Sequence, residues 1–247
     1  MCGQEPARGQ GRGVAVQDRR AAGRPVTESA IVFEDERLVA AVKPAGRPTI
    51  PGRGDVGEPL NAELERRLGA KLLVVHRLDR EASGLVVFAK DAAAHRELCA
   101  QFEGRRAKKA YLAVVSGALE GEGIVALALR EFGSGRVAPA PDGKPSRTRW
   151  RTLRPLRGAT LLRVEPETGR RHQIRAHLCA LGHPILGDPR YGPPPRPVGG
   201  APRLMLHALS LRVTAGGRDY ALEAPPTEDF AAELARREGR ERPRRTI

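Results

Sequence analysis

Residues 72–91 read LLVVHRLDREASGLVVFAKD, in which two apolar runs enclose a polar turn. The runs 72–75 and 85–88 have the composition of two buried strands. Asp79 lies between them, with an arginine two residues before it and another directly after it. Burial raises the pKa of a carboxyl group and a nearby guanidinium lowers it. An ionised, poorly hydrated carboxylate suits a nucleophile, and the alternative is an acid that only forms a salt bridge in the turn.

The rest of the chain predicts many strands and few helices. Periodic apolar residues predict helices over 60–68, 92–102, 168–181 and 229–237. Further strands are predicted at 31–33, 38–42, 111–116, 124–129, 147–153, 160–165, 204–213 and 220–222. Because the order has no regular βαβ alternation, we expect an α+β fold with a mixed, mainly antiparallel sheet.

The composition divides the chain into three regions. Residues 1–28 are rich in Gly, Arg and Gln without periodicity, which predicts a disordered basic arm. Residues 29–230 are expected to form one domain, and residues 231–247 a short helix and basic tail. No apolar run is long enough to span a membrane, and the N-terminus has no secretory apolar segment. Three widely spaced cysteines without a CxxC pair indicate a reducing, cytoplasmic location.

The net charge of +14 indicates a polyanionic partner. Residues 1–28 contribute +2 and residues 231–247 contribute +3, so the region between them keeps +9. Lys and Arg that neutralise phosphates release condensed counterions, which favours nucleic-acid binding. The alternative is an arginine-rich composition with no nucleic-acid role.

Metal and nucleotide motifs are missing from the sequence. None of the six histidines has HExxH or paired-ligand spacing, and the GQGRG stretch near residue 9 follows no strand and opens no helix. We therefore expect neither a metal nor a cofactor.

Two strands carry further candidate residues. Tyr111 follows a basic cluster and suits proton acceptance or stacking on a base, with a core tyrosine as the alternative. In SRTRWRTL, Arg147, Arg149 and Arg151 are expected on the sheet face opposite Trp150. That arginine face suits nucleic acid or simply solvent.

The segment GRRHQIRAH, residues 169–177, is predicted to open a helix. Arg171 and Arg175 are four residues apart, so they are expected to share a helix face near the positive helix terminus. This arrangement favours an anion site, and a solvated basic face is the alternative.

Together these segments resemble the RluA family of RNA pseudouridine synthases. HRLDREASGLVVFAK corresponds to the family's HRLDxxTSG pattern, KKAYLAVVSG to its basic pair before a tyrosine strand, and GRRHQIRAH to its GRxHQIRxH helix. EDERLVAAVKPAG, GHPILGDPRYG and LMLHALSL follow in family order, so the resemblance covers roughly residues 30–228. It implies one catalytic domain whose sheet has a central cleft flanked by helices and loops.

The resemblance also implies roles for particular residues. The family's catalytic aspartate, active-site tyrosine and paired basic residue correspond to Asp79, Tyr111 and Arg175. Arg77 is expected at the mouth of the site, where it helps to fill the gap left by an extruded base. The remaining residues expected to bind RNA are Lys108, Lys109, Arg170, Arg171 and His172.

The implied activity is isomerisation of uridine to pseudouridine in an rRNA or tRNA stem-loop, without a cofactor, by a monomer. Ala82 departs from the family's usual threonine and removes one hydroxyl. The 28 residues before the first strand are too few for an S4 RNA-binding domain, so members without S4 are the closer comparison. Two alternatives stay open: a catalytically idle RNA-binding or ribosome-assembly protein, and a carboxylate glycosidase, for which Glu81 is the nearest second acid.

Overall fold

A computed structural model of the chain describes residues 29–52, 57–194 and 196–239. The helices are α1 (Leu60–Leu68), α2 (Ala92–Glu103), α3 (Gln173–Ala180) and α4 (Glu228–Arg237). The strands are β1 (Ile31–Glu34), β2 (Leu38–Lys43), β3 (Leu73–Val74), β4 (Ser83–Ala89), β5 (Lys108–Ser116), β6 (Glu122–Glu131), β7 (Val137–Pro139), β8 (Lys144–Leu156), β9 (Ala159–Pro166), β10 (Leu206–Ala215) and β11 (Arg218–Glu223). The predicted basic arm lies outside the described residues, as does the tail after residue 239.

The strands form one mixed sheet in the order β1-β2-β4-β10-β5-β9-β8-β6-β7. β11 pairs with β10, and β3 pairs with β4. The β4–β10 pair is parallel, and the other paired strands are antiparallel. The predicted mainly antiparallel α+β fold is therefore confirmed. The predicted strand 72–75 shortens to β3, and β7 was not predicted.

The apolar run of β4 is continuous because both faces of this strand are covered. Leu85 and Val87 pack in a cluster that includes Leu98 of α2, whereas Val86 and Phe88 pack in a cluster with two leucines of α1. Because neither face of β4 contacts solvent, its sequence lacks the alternation of apolar and polar residues that is typical of half-buried strands. β4 therefore begins at a well-packed position directly after the turn that carries Asp79.

Two helices lie against the other half of the sheet. Ile174 and Leu178 of α3 and Phe230 and Leu234 of α4 are buried in the same cluster as β5 and β9. Among the described residues, no helix is both long and apolar enough to cross a membrane.

The predicted start of the third helix was wrong. α3 begins at Gln173 rather than at residue 168, because His172 adopts a left-handed conformation with φ of 50°. The Gln173 side chain holds the preceding loop outside the helix: its Oε1 accepts from the Thr168 hydroxyl at 2.6 Å and from the Arg170 N–H at 3.0 Å. Arg171 therefore precedes α3 and does not share a helix face with Arg175.

Candidate active site

Asp79 lies in the tight connection between β3 and β4, at the wall of a cleft of 470 Å³. The N–H of Ala82 donates to the Asp79 carbonyl at 3.1 Å, so a main-chain bond closes the turn. Ala82 is itself buried in the core. The turn therefore closes without the hydroxyl that the usual threonine would supply.

A second loop, residues 43–49, holds this turn from outside. Gly46 N–H donates to the Arg80 carbonyl at 2.8 Å. The Thr49 hydroxyl donates to the Leu78 carbonyl at 3.3 Å, and the Leu78 N–H donates back to that hydroxyl at 3.2 Å. These bonds fix the main chain on both sides of Asp79, so the KPAGRPT segment positions the acid through the residues next to it.

Lys43 is fully buried beneath the same turn. Its Nζ donates to the carbonyls of Arg80 at 3.0 Å, Pro44 at 2.9 Å and Arg47 at 2.7 Å. Burial lowers the pKa of the Lys43 ammonium to about 7, although the nearby carboxylates of Glu81 and Asp79 act in the opposite direction. The Lys43 ammonium thus links the loop of residues 43–49 to the turn that carries Asp79. This role was not predicted from the sequence.

Arg175 brings three carboxylates together. Its Nη1 lies 3.3 Å from Asp79 Oδ2 and 3.4 Å from Glu81 Oε2. Its Nε and Nη2 donate to the two oxygens of Asp188, each at 2.8 Å. Both side chains line the cleft, but that of Arg175 is 1% exposed and that of Asp79 is 23% exposed, so the acid is the more accessible of the two. The partner of Asp79 comes from α3 and not from the arginines adjacent in sequence.

Asp188 is the functional residue that sequence reasoning missed. It is fully buried, and besides Arg175 it accepts the N–H groups of Arg190 at 2.8 Å and Tyr191 at 3.0 Å. Its two carboxylate oxygens therefore orient both the guanidinium and the following loop. The available signal was an acid in GHPILGDPRYG, between a glycine that follows an apolar pair and a proline.

Tyr111 lies on β5 and lines the cleft that also contains Asp79. Burial and the charge of Asp79 raise the pKa of its phenol, so the hydroxyl stays protonated while Asp79 is ionised. Tyr111 also packs against two core clusters, so the core and cleft interpretations both apply.

His172 lies on the other side of Asp79. Its Nε2 is 3.9 Å from Asp79 Oδ1, and its Nδ1 pairs with the Tyr191 hydroxyl at 3.0 Å. Burial lowers the pKa of this imidazole, whereas the charge of Asp79 raises it. The left-handed backbone at His172 turns its side chain into the cleft instead of along α3.

The predicted RNA-binding residues divide into two groups. Arg77, Lys109, Arg170 and His172 line the cleft. Arg171 instead forms an ion pair with Glu131, and Lys108 lines a separate groove. The Nε of Arg170 is buried and has no hydrogen-bond partner among the described residues, so the cleft wall contains an unused donor.

His76 of the HRLD segment is structural. Its ring stacks on Phe102 with a centroid distance of 4.8 Å, and its Nε2 accepts the N–H of Val87 at 3.0 Å. Burial lowers the pKa of His76 to about 3, so the ring is neutral and able to accept this bond. His76 thereby ties the chain just before Asp79 to β4.

Comparison with known proteins agrees with this geometry. The profile of the RNA pseudouridylate synthase family matches residues 37–180. The chain is 40% identical to ribosomal large subunit pseudouridine synthase D of Nitrosomonas europaea, over 83% of this chain and 64% of that protein. It is 38% identical to the dual-specificity RNA pseudouridine synthase RluA of Vibrio cholerae, over 73% of this chain and 75% of that protein.

A solved structure gives the same result. Human RNA pseudouridylate synthase domain containing 1 is 27% identical and superposes with a TM-score of 0.71, covering 83% of this chain and 86% of that one. The chain spans 55–64% of the length of several curated relatives, those of Nitrosomonas and Zymomonas mobilis among them. The profile match covers more than half of the chain and includes the turn of Asp79, the strand of Tyr111 and the helix of Arg175, and this chain therefore belongs to the RNA pseudouridylate synthase family.

Proposed function

We propose that this chain isomerises uridine to pseudouridine in ribosomal RNA, with Asp79 as the residue that starts the reaction. The observation that carries the proposal is the Asp79 carboxylate, 3.3 Å from a buried arginine in a basic cleft that Tyr111 also lines. Relatives named ribosomal large subunit pseudouridine synthases support ribosomal RNA as the substrate class.

The reaction rearranges one nucleotide without an external reactant. The N1–C1′ bond breaks, the uracil rotates, and a C5–C1′ bond forms, while C5 loses a proton and N1 gains one. The fixed charge of Arg175 lies 3.3 Å from the Asp79 carboxylate and orients it as a nucleophile. Arg175 cannot rotate away from it, because Asp188 holds the opposite side of the guanidinium.

Tyr111 fits a late step. While Asp79 is ionised, its charge adds to burial in holding the phenol protonated. When the carboxylate becomes covalently bound to the nucleotide, that charge disappears and only burial still raises the phenol pKa; the charge returns when formation of the C5–C1′ bond releases the carboxylate. The ring then stacks on the base. After the bond rearrangement the oxygen accepts the C5 proton while the phenol passes its own proton on towards N1, so that the phenol is neutral again at the end of the step.

The target base enters the cleft by leaving its stack. A uracil inside a stem is out of reach of Asp79, and extruding it costs a few kcal/mol, which contacts in the pocket offset. The cleft has a volume of 470 Å³ and its wall includes Arg170 and Lys109. Arg77 is exposed beside it, and we assign it to the gap left in the RNA.

The proposal includes the division of the chain. Residues 29–230 form the catalytic domain, with a basic arm before it and a short helix and basic tail after it. The helix α4 packs on this domain through Phe230 and Leu234, so it stabilises the domain rather than standing apart from it.

The activity is tested by tritium release from large-subunit ribosomal RNA transcribed with 5-tritiated uridine. The wild-type protein is expected to release tritium and to leave pseudouridine detectable by carbodiimide-dependent reverse-transcription stops. RNA binding with no release from any transcript would instead support a catalytically idle RNA-binding protein.

A further inference from the structure

We propose that the sheet face behind the cleft holds the backbone of the RNA that flanks the target nucleotide. This inference rests on the proposed function. The site is a groove of 690 Å³, here called the basic groove, lined by Lys108, Arg147, Arg149, Arg163 and Arg212. None of these groups is used by the cleft chemistry described above.

The basic groove is a built feature of four neighbouring strands. Its cations come from β10, β5, β9 and β8, which lie side by side in that order. Three strand spacings cover about 14 Å, and successive phosphates of one strand advance by about 3.4 Å along the axis of a B-form duplex. The row of cations is therefore long enough to contact several phosphates of one backbone.

Two pairs of like charges lie directly opposite each other on this face. Lys108 of β5 faces Arg212 of β10, and Arg163 of β9 faces Arg151 of β8. Like charges in directly opposed positions destabilise a sheet. On a face that only contacts solvent, such pairs do not stabilise the fold. A polyanion bound over them would offset the repulsion between the cations by its attraction to both.

The carboxylates in the groove neutralise only part of this charge. Three acids line the groove: Glu165, Glu167 and Glu223. Glu167 is shared by Arg147 at 2.9 Å and Arg149 at 3.2 Å, and Glu165 pairs with Arg163 at 2.8 Å. Exposed pairs of this kind are weak and yield readily to phosphates. The groove therefore keeps an excess of positive charge.

The basic groove joins the cleft at one edge of the sheet. Arg105, Lys109, Pro166 and Thr168 line both. Lys108 and Lys109 are consecutive residues of β5, so they project to opposite faces of the sheet. An RNA chain whose nucleotide occupies the cleft can thus continue over this edge and along the basic groove.

The test is a double variant, Lys108→Gln with Arg212→Gln, in the full chain. Removing a like-charge pair should leave the fold intact, since the pair opposes folding. The matched control is Lys71→Gln with Arg96→Gln, which removes the same two charges from exposed positions outside the cleft and the basic groove. Urea denaturation verifies that both variants are folded.

Two labelled RNA hairpins serve as probes in fluorescence anisotropy: one with a long stem and flanks, the other trimmed to its uridine loop and closing pairs. The groove variant should bind the long RNA about tenfold more weakly or worse, and the slope of log K against log salt should decrease in magnitude by about two. Its affinity for the trimmed RNA should equal that of the control variant.

Turnover separates this proposal from the proposed function. On a large-subunit ribosomal RNA transcript, the groove variant should show a raised KM and an unchanged kcat. The proposal that the basic groove binds RNA would be overturned if the groove and control variants bound the long RNA equally well. It would also be overturned if the groove variant lost the same affinity for both RNAs. A wild-type protein that makes no pseudouridine, but shows the expected binding pattern, overturns the proposed function and leaves the groove supported.

Discussion

Asp188 holds Arg175 by two hydrogen bonds of 2.8 Å, and both side chains are buried. The remaining nitrogen, Nη1, points to Asp79 at 3.3 Å. Asp188 does not line the cleft. It therefore helps to position the proposed nucleophile through one intermediate side chain.

Asp188→Asn should lower the free energy of unfolding by about 3–5 kcal/mol, because it breaks a buried ion pair on one side. Asp229→Asn is a matched control: Asp229 binds Arg203 with the same two-bond geometry, at 2.8 and 2.9 Å, but is half exposed. That change should cost less than about 1 kcal/mol. Urea denaturation measures both, and similar costs would contradict the importance given to burial.

Asp79→Asn should reduce tritium release by at least about a thousandfold, since it removes the proposed nucleophile. Glu81→Gln is the control, because Glu81 also contacts Arg175, at 3.4 Å, but is more exposed. It should retain most of the activity. Release by Asp79→Asn at the wild-type rate would show that another group starts the reaction.

Tyr111→Phe should keep RNA affinity and lose product formation. The ring still stacks on the base, but the oxygen proposed to accept the C5 proton is gone. Tyr111→Leu should weaken both, since it also removes the aromatic ring. Anisotropy and tritium release measure the two effects separately, and full turnover by Tyr111→Phe would limit Tyr111 to stacking.

Lys43 should make stability depend on pH. Its pKa falls from 10.5 in the unfolded chain to about 7 in the folded protein. Between these values the unfolded chain binds the extra proton, so stability should rise with pH, by up to about 1.4 kcal/mol per unit. The difference in unfolding free energy between wild type and Lys43→Met, measured from pH 7 to 10, isolates this contribution. A difference independent of pH would mean that the three carbonyls keep the ammonium charged.

Gly84→Ala should destabilise the protein by about 3 kcal/mol, through a backbone angle that side chains rarely adopt and a direct clash. Its φ is +116°, and a Cβ there would lie 2.3 Å from the Ala208 carbonyl oxygen. Gly46→Ala is the control, because Gly46 has φ of +84° and no atom near an added Cβ. It should cost about 1 kcal/mol. Thermal unfolding measures the loss of stability in both variants. Equal losses would mean that backbone strain alone, and not the clash with Ala208, destabilises Gly84→Ala.

Local pattern was sufficient for most of the fold. The helix over 60–68 and the strand alternation around Trp150 are found as predicted, because each depends on residues within a few positions of one another. The start of α3 was wrong for the opposite reason. The left-handed turn at His172 and the bonds from Gln173 to the preceding loop involve side-chain geometry that helical periodicity does not encode.

The sequence by itself determined the strand–turn–strand around Asp79, the excess of positive charge and the family to which the chain is similar. Only the tertiary structure decided which groups surround Asp79. Arg175, Lys43 and Asp188 come from distant segments, and burial and directed hydrogen bonds bring them together in the folded chain. It also placed Lys108 beside Arg212 in the basic groove, since β5 and β10 pair although they are far apart in the chain.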